Sequence, residues 1–221
     1  MIKEVIFDVD GTLLNTEEGI LSSAKYAIEE HGKPMPSDNI LRTFIGPPIA
    51  DSFAKEFNVK GKELSDMVKT FRDRYKGEDL LKAKPYPGIY DVLDGLRQSG
   101  LKAAVATYKR QDYAETIMRH FGFDSYTDII YGADSNNKLK KKDIIRNCIT
   151  AAGIESGEAV MVGDSDNDAI GAESLGIKFI AVTYGFGFHS RSEAERYANN
   201  GIAESTKQIA EIIGRLKQQG E

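Results

Sequence analysis

At 221 residues, with 41% hydrophobic and 29% charged residues and a formal net charge of −5, the chain has enough apolar material for one large domain, or for a core with a smaller insert. The acidic balance excludes the basic footprint of a nucleic-acid or anionic-membrane binder, and the longest uncharged apolar run, Phe179 to Phe188, falls far short of the roughly 20 residues that span a bilayer. A single cysteine, Cys148, excludes an internal disulfide, and with no long apolar stretch near Met1 it predicts a cytoplasmic protein.

In chain order, Val5-Ile6-Phe7, followed by Asp8 and the turn signal Asp10-Gly11, predicts a short buried strand running into a loop. Asn15-Thr16-Glu17-Glu18 opens a helix, with Asn15 as N-cap, that runs to about His31-Gly32. Helical patterns then cover Ile40 to Phe44, Ile49 to Phe57 and Lys62 to Tyr75, with no strand expected from 15 to 82. Residues 15–82 therefore read as an all-helical unit inserted after the first strand, with 1–14 and 83–221 forming the other part. Beyond the turn Pro85-Tyr86-Pro87-Gly88, helix and strand alternate. A helix over Ile89 to Gln98 leads to a strand over Leu101 to Thr107, and a helix over Tyr113 to Phe121 to a strand over Asp128 to Tyr131. Then come the helix Lys142 to Ala152, the strand Ala159 to Val162, the helix Asp168 to Leu175, the strand Phe179 to Thr183 and a last helix over Thr206 to Leu216. Strands separated by helices of about ten residues predict an α/β fold on a doubly wound parallel sheet.

In such a sheet, ligands bind outside the carboxyl ends of the strands. The residues placed there are Asp8 and Asp10 after the first strand, Thr107, Tyr108 and Lys109 after the second, and Gly163, Asp164, Asp166 and Asp168 after a later one. Lys138, Lys140, Lys141 and Lys142 precede a helix. So many carboxylates at one edge repel one another unless a hard divalent cation neutralises them. Magnesium prefers one or two carboxylates with water and phosphate oxygens, a role that suits Asp8 and Asp164, with a main-chain carbonyl near Asp10. An ionised carboxylate can attack phosphorus to give an aspartyl-phosphate. The transfer then needs mainly alignment and charge neutralisation, from Mg²⁺, a lysine, Thr107 and loop amides. Asp10 is placed to protonate the leaving oxygen and later to activate water.

Three segments carry a resemblance. Asp8-Val9-Asp10-Gly11-Thr12-Leu13-Leu14, Val105-Ala106-Thr107 and Gly163-Asp164-Ser165-Asp166-Asn167-Asp168 resemble the first, second and fourth motifs of the haloacid dehalogenase-like (HAD) phosphatase superfamily. The helical insert, Phe44-Ile45-Gly46-Pro47-Pro48 and Pro85-Tyr86-Pro87-Gly88 are similar to its phosphoglycolate phosphatase-like branch. The resemblance implies a Rossmann-like HAD-type core with an inserted helical cap domain that selects the substrate. It implies Asp8 as nucleophile and metal ligand, and Asp10 as acid/base whose carbonyl binds the metal. Thr107 would bind the phosphate with help from the Tyr108 amide, Asp164 would bind the metal, and Asp168 would bind it directly or through a neighbour. Lys138, Lys140, Lys141 and Lys142 compete for the third-motif lysine; the spacing to Asp143-Ile144-Ile145 favours Lys141, although the Lys-Pro pair frequent in the family is missing. Asn15 stands where many relatives carry Asp.

Other features read as structural. Cys148 shares an apolar stripe with Ile144, Ile145, Ile149 and Ala152, a core position. His31, His120 and His189 lack metal-ligand spacing, and Gly185-Phe186-Gly187 lacks the third glycine of a dinucleotide loop. Asp166 is left outside the site as the weakest acid of its segment. The expected function is a Mg²⁺-dependent hydrolase of a small phosphorylated metabolite, of the phosphoglycolate phosphatase type. A phosphosugar mutase, a 5'-nucleotidase or a pyrophosphatase would use the same scaffold, and a non-catalytic binding protein is the reading outside enzymology. Arg42 and Lys55 are candidate cations for a substrate acid, and monomer and homodimer both stay open.

Overall fold

The segment Glu4-Val5-Ile6-Phe7 is buried at every residue, as a strand covered on both faces of a parallel sheet must be. In the computed structural model, which describes residues 1–134 and 138–218, it is strand β1. The remaining strands are β2 (Leu14–Asn15), β3 (Lys84–Pro85), β4 (Lys102–Arg110), β5 (Ile130–Ala133), β6 (Ala159–Gly163), β7 (Lys178–Val182) and β8 (Ile202–Ala203). Apart from the two-residue β2 and β3, they form one six-stranded sheet in the order β5-β4-β1-β6-β7-β8, with every neighbouring pair parallel.

The chain divides into two units, residues 1–14 with 85–221, and residues 15–84. In the first, Ile6 of β1, Ala104 and Ala106 of β4, Met161 of β6 and Phe179 of β7 belong to one buried cluster. It takes in Ile144, Ile145, Cys148 and Ile149 of a helix over Lys141–Ala152, and Ala169 and Ala172 of a helix over Asp166–Glu173. Residues that alternate with these, such as Val5, Phe7, Val105, Val160 and Ile180, are also buried and point to the opposite face. The fold is thus α/β and doubly wound. The strand order reverses beside β1, with β4 on one side and β6 on the other, so the carboxyl ends of three adjacent strands meet at the place where open α/β sheets bind ligands.

The second unit holds four helices, α1 (Glu17–Glu30), α2 (Asp38–Arg42), α3 (Ile49–Phe57) and α4 (Gly61–Arg74), continued by a π-helical turn at Tyr75–Asp79. Phe53 is its anchor, fully buried, with the rings of Phe44, Phe57 and Phe71 centred 5.8 to 6.2 Å away. Asp79 is buried but not stranded: Ser23 Oγ donates to it at 2.8 Å, and the Lys82 ammonium lies 2.7 Å away. The first unit contains α5 (Ile89–Gln98), α6 (Gln111–His120), α7 (Lys141–Ala152), α8 (Asp166–Glu173), α9 (Arg191–Ala194) and α10 (Thr206–Gln218).

Three details depart from the sequence-based expectations. β4 runs three residues past Thr107, to Arg110, and Lys109 within that extension is buried. Thr16, not Asn15, occupies the N-cap of α1; Asn15 instead accepts a hydrogen bond from the Glu17 amide at 3.1 Å. The short elements β2, β3, α9 and β8 went unpredicted, since two to four residues are too few to show a period, and β2 places Asn15 in a strand within the stretch 15–82 where none was expected. Among the described residues, no helix is long and apolar enough to cross a membrane.

Candidate active site

The parallel register sets Phe7 opposite Val105 on one side and Val162 on the other, so the residues that follow these three strands emerge together. Asp8 keeps its amide in the sheet, donating to Val162 O at 3.0 Å, and its carboxylate ends up buried. A carboxylate oxygen from each of Asp8, Asp164 and Asp168 lies within 4.8 Å of the other two. One cation enters this group. Lys141 Nζ is 2.6 Å from Asp8 Oδ1 and 2.7 Å from Asp168 Oδ1, and the lysine is itself buried.

The position of Lys141 follows from its helix. It is the first residue of α7 and heads the buried stripe Lys141, Ile144, Ile145, Cys148 and Ile149. Its amide donates to the Tyr108 hydroxyl at 2.9 Å. Gly171 of α8 lets the two helices approach, since a Cβ there would stand 3.2 Å from Lys141 Cγ. Lys138, Lys140 and Lys142 are exposed. Of the four lysines in that segment, Lys141 is the one whose ammonium meets the carboxylates.

Asp164 is held from a direction that sequence reasoning missed. Its Oδ2 accepts the amides of Phe186 and Gly187, at 2.7 and 3.0 Å. A Cβ on Gly185 would come within 2.3 Å of Gly11 O and 2.4 Å of Asp164 Oδ2. Gly11 adopts φ +81°, and a Cβ there would stand 2.0 Å from the same oxygen. The glycines at 11, 185 and 187 are therefore the cradle of Asp164. Their signal in the sequence was a glycine pair just past a strand, as in an anion-binding loop. Asp168 has both oxygens engaged: Oδ1 faces Lys141, and Oδ2 accepts the Ser165 hydroxyl at 2.7 Å. Asp166 is exposed at the start of α8.

Asp10 stands slightly apart. It is buried, and its Oδ1 is 3.1 Å from Lys109 Nζ rather than among the three clustered carboxylates. Thr107 is buried at the end of the run Val105-Ala106-Thr107, and its Oγ1 accepts the Lys109 amide at 3.2 Å. Tyr108 reaches the site through its side chain: its hydroxyl accepts the Lys141 amide, and its ring is centred 5.6 Å from the Lys141 ammonium.

The electrostatics are those of a site short of positive charge. Burial pushes the Asp8 carboxyl up to about 7; Lys141 opposes this, and Asp168 and Asp10 add to it. Asp164 is raised well above the ordinary range, first by burial and then by Asp168 and Asp8. Burial alone would lower Lys141, but the Asp168 and Asp8 carboxylates outweigh it and hold the ammonium charged. Three buried carboxylates gathered around one lysine, which pairs with only Asp8 and Asp168, fit a hard divalent cation, which would favour their ionised forms.

A buried, lysine-paired aspartate at the end of the central strand, with a second acid two residues on, is the geometry carried by Asp8 and Asp10. The family model of the haloacid dehalogenase-like hydrolases matches residues 5–182. The chain belongs to that family. Among its HAD-like relatives, a 5'-nucleotidase of Pseudomonas aeruginosa is 32% identical over 193 residues, which cover 87% of each chain. Pyrophosphatase PpaX of Halalkalibacterium halodurans is 30% identical over 216 residues, 96% of this chain and 97% of that protein. The crystal structure of a predicted phosphatase from Clostridium acetobutylicum superimposes with a TM-score of 0.90 at 33% identity, over 97% of this chain and 99% of that one. This HAD-like hydrolase thus falls among phosphatases in both sequence and fold.

Proposed function

We propose that the protein is a Mg²⁺-dependent phosphatase of small phosphorylated metabolites that works through an aspartyl-phosphate on Asp8. The observation that carries this reading is the Asp8 carboxylate, 2.6 Å from a buried lysine and gathered with Asp164 and Asp168. Asp8, Asp164 and the Asp10 carbonyl would hold the cation, with Asp168 serving through Lys141, since both of its oxygens already have partners. Bound there, Mg²⁺ supplies charge neutralisation for the phosphate and for the carboxylates around it.

The steps use the chain's own groups. An Asp8 oxygen attacks phosphorus, forming the acyl phosphate as the ester P–O bond breaks, and Asp10 gives its proton to the departing oxygen. Asp10 then takes a proton from water as the water oxygen attacks phosphorus. The bond to Asp8 breaks, and inorganic phosphate and the free carboxylate are released. Lys141 aligns Asp8 and offsets charge on the phosphoryl oxygens, while Thr107 and the Tyr108 amide bind those oxygens. Residues 15–84 are the part to which substrate choice is assigned, and the lone, buried Cys148 suits a reducing cytoplasm.

The relatives direct the choice of substrates toward nucleoside 5'-monophosphates and pyrophosphate, beside the 2-phosphoglycolate expected from the sequence. Phosphate release from these three and from sugar phosphates, with Mg²⁺ and then with a chelator, tests the proposal. Chelator-sensitive release that is strongest for one of them supports it. A folded, Mg²⁺-binding protein that releases phosphate from none would refute it.

A further inference from the structure

Lys109 has no role in the scheme above, yet its side chain is only 4% exposed and its ammonium lies 3.1 Å from Asp10 Oδ1. We propose that Lys109 is the positioning residue of Asp10: it fixes the carboxyl that serves as acid and base and keeps it apart from the carboxylates around the cation. The inference rests on the aspartyl-phosphate reading and deepens it.

The backbone is built to deliver this lysine. The pairing of β4 with β5 shifts register between Ala106 and Arg110, an irregularity of the kind that re-aims side chains next to functional sites. Thr107 and Lys109, two residues apart, are linked by the bond from the Lys109 amide to Thr107 Oγ1. Gly132 of β5 packs so closely that a Cβ would lie 2.5 Å from Lys109 O and 2.8 Å from the Gln111 backbone. Gln111 ties the edge down further, accepting the Gly132 amide at 2.5 Å and donating to Ile130 O at 2.9 Å. A segment fixed in this way holds its side chain in one place.

The charges are divided accordingly. Lys141 is shared by Asp8 and Asp168, whereas Lys109 faces Asp10. A buried ammonium needs a polar partner, and Lys109 finds one in the Asp10 carboxyl, which the contact holds in place. Without Lys109, a carboxylate two residues from Asp8 would be drawn toward the same cation, and the acid/base would leave the path of the departing oxygen. Lys109 itself transfers no proton; it acts through Asp10.

A leaving group that departs without a proton separates this role from a general structural one. Nitrophenolate does so, and an alkoxide does not. The value of kcat/KM, which reports the first irreversible step, is measured for an alkyl phosphomonoester and for p-nitrophenyl phosphate. The proteins are the wild type, Lys109→Met, Lys109→Arg and, as comparator, Asp10→Asn, each checked for fold by circular dichroism. The expected result is a fall of roughly 10²-fold for the alkyl ester in Lys109→Met, a fall of only a few-fold for the nitrophenyl ester, and recovery of most alkyl activity in Lys109→Arg. Equal losses on both esters, or no loss on either, would overturn the inference. If Asp10→Asn shows the skew and Lys109→Met does not, the acid/base reading survives and this inference does not. A wild type inert toward both esters overturns the phosphatase reading and this inference with it.

Discussion

Replacing Lys141 by methionine keeps the length of the side chain and removes its charge. In the metal-free protein this leaves Asp8 and Asp168 without the ammonium that now lies 2.6 and 2.7 Å from them, and Asp164 adds a third buried acid. Removing one partner of a buried ion pair costs about 3–5 kcal/mol, a large fraction of the roughly 5–15 kcal/mol that holds a domain together. For a chain of this size, each kcal/mol moves the melting temperature by about 2–4 °C, so Lys141→Met should melt about 6–20 °C lower near pH 8 with chelator present. The loss should shrink near pH 6. There the Asp8 carboxyl, already raised to about 7 in the presence of Lys141, escapes by taking up a proton. Added Mg²⁺ should raise the melting temperature of the variant more than that of the wild type, because the cation then does part of the work of the lysine. Turnover should fall by at least about 10²-fold. The assay is differential scanning calorimetry at the two pH values, with and without Mg²⁺. A chelated variant that melts within about 1 °C of wild type near pH 8 would show that Lys141 does not balance these carboxylates.

Asp8→Asn is nearly isosteric and removes a buried charge, so it should abolish phosphate release while raising the melting temperature of the chelated protein; retained turnover would remove Asp8 as nucleophile. The metal-free wild type should be more stable at pH 5 than at pH 8. Native Asp8 and Asp164 hold protons that the unfolded chain, with carboxyls near 3.8, has already lost. Stability therefore falls as pH rises from about 4 through about 7, and melting curves across that range should show it; a flat or opposite trend would contradict the raised carboxyls. Gly185→Ala puts a methyl within 2.4 Å of both Gly11 O and Asp164 Oδ2, so it should destabilise the protein by about 1–3 kcal/mol and weaken Mg²⁺ binding measured by calorimetric titration.

The fold was legible because its signals are long or repeated. Strands such as Val5-Ile6-Phe7 and Ala159 to Val162 are short apolar runs, and the helices between them carry a plain period. The acids of the site were legible because they sit just past those runs. What the sequence did not show depends on contacts distant along the chain. Lys109 was placed at the strand edge without a partner, and its 3.1 Å approach to Asp10 and the run of β4 past Thr107 show only in the fold. The loop at Gly185-Phe186-Gly187 reads as a failed dinucleotide motif until its amides are found on an aspartate 22 and 23 residues earlier. Tyr108 was expected to act through its amide, and its hydroxyl reaches the start of α7, 33 residues on. Asn15 shows the opposite limit. Its residue type predicted a helix start correctly, but capping is decided within one residue, and Thr16 holds the position.

The central claim is that phosphoryl groups pass through Asp8 rather than directly to water. The most direct measurement is the stereochemical course at phosphorus, followed with a substrate carrying an isotopically labelled, chiral thiophosphate. Two successive in-line displacements, first by Asp8 and then by water, predict retention of configuration. Inversion would mean a single attack by water and would contradict the account.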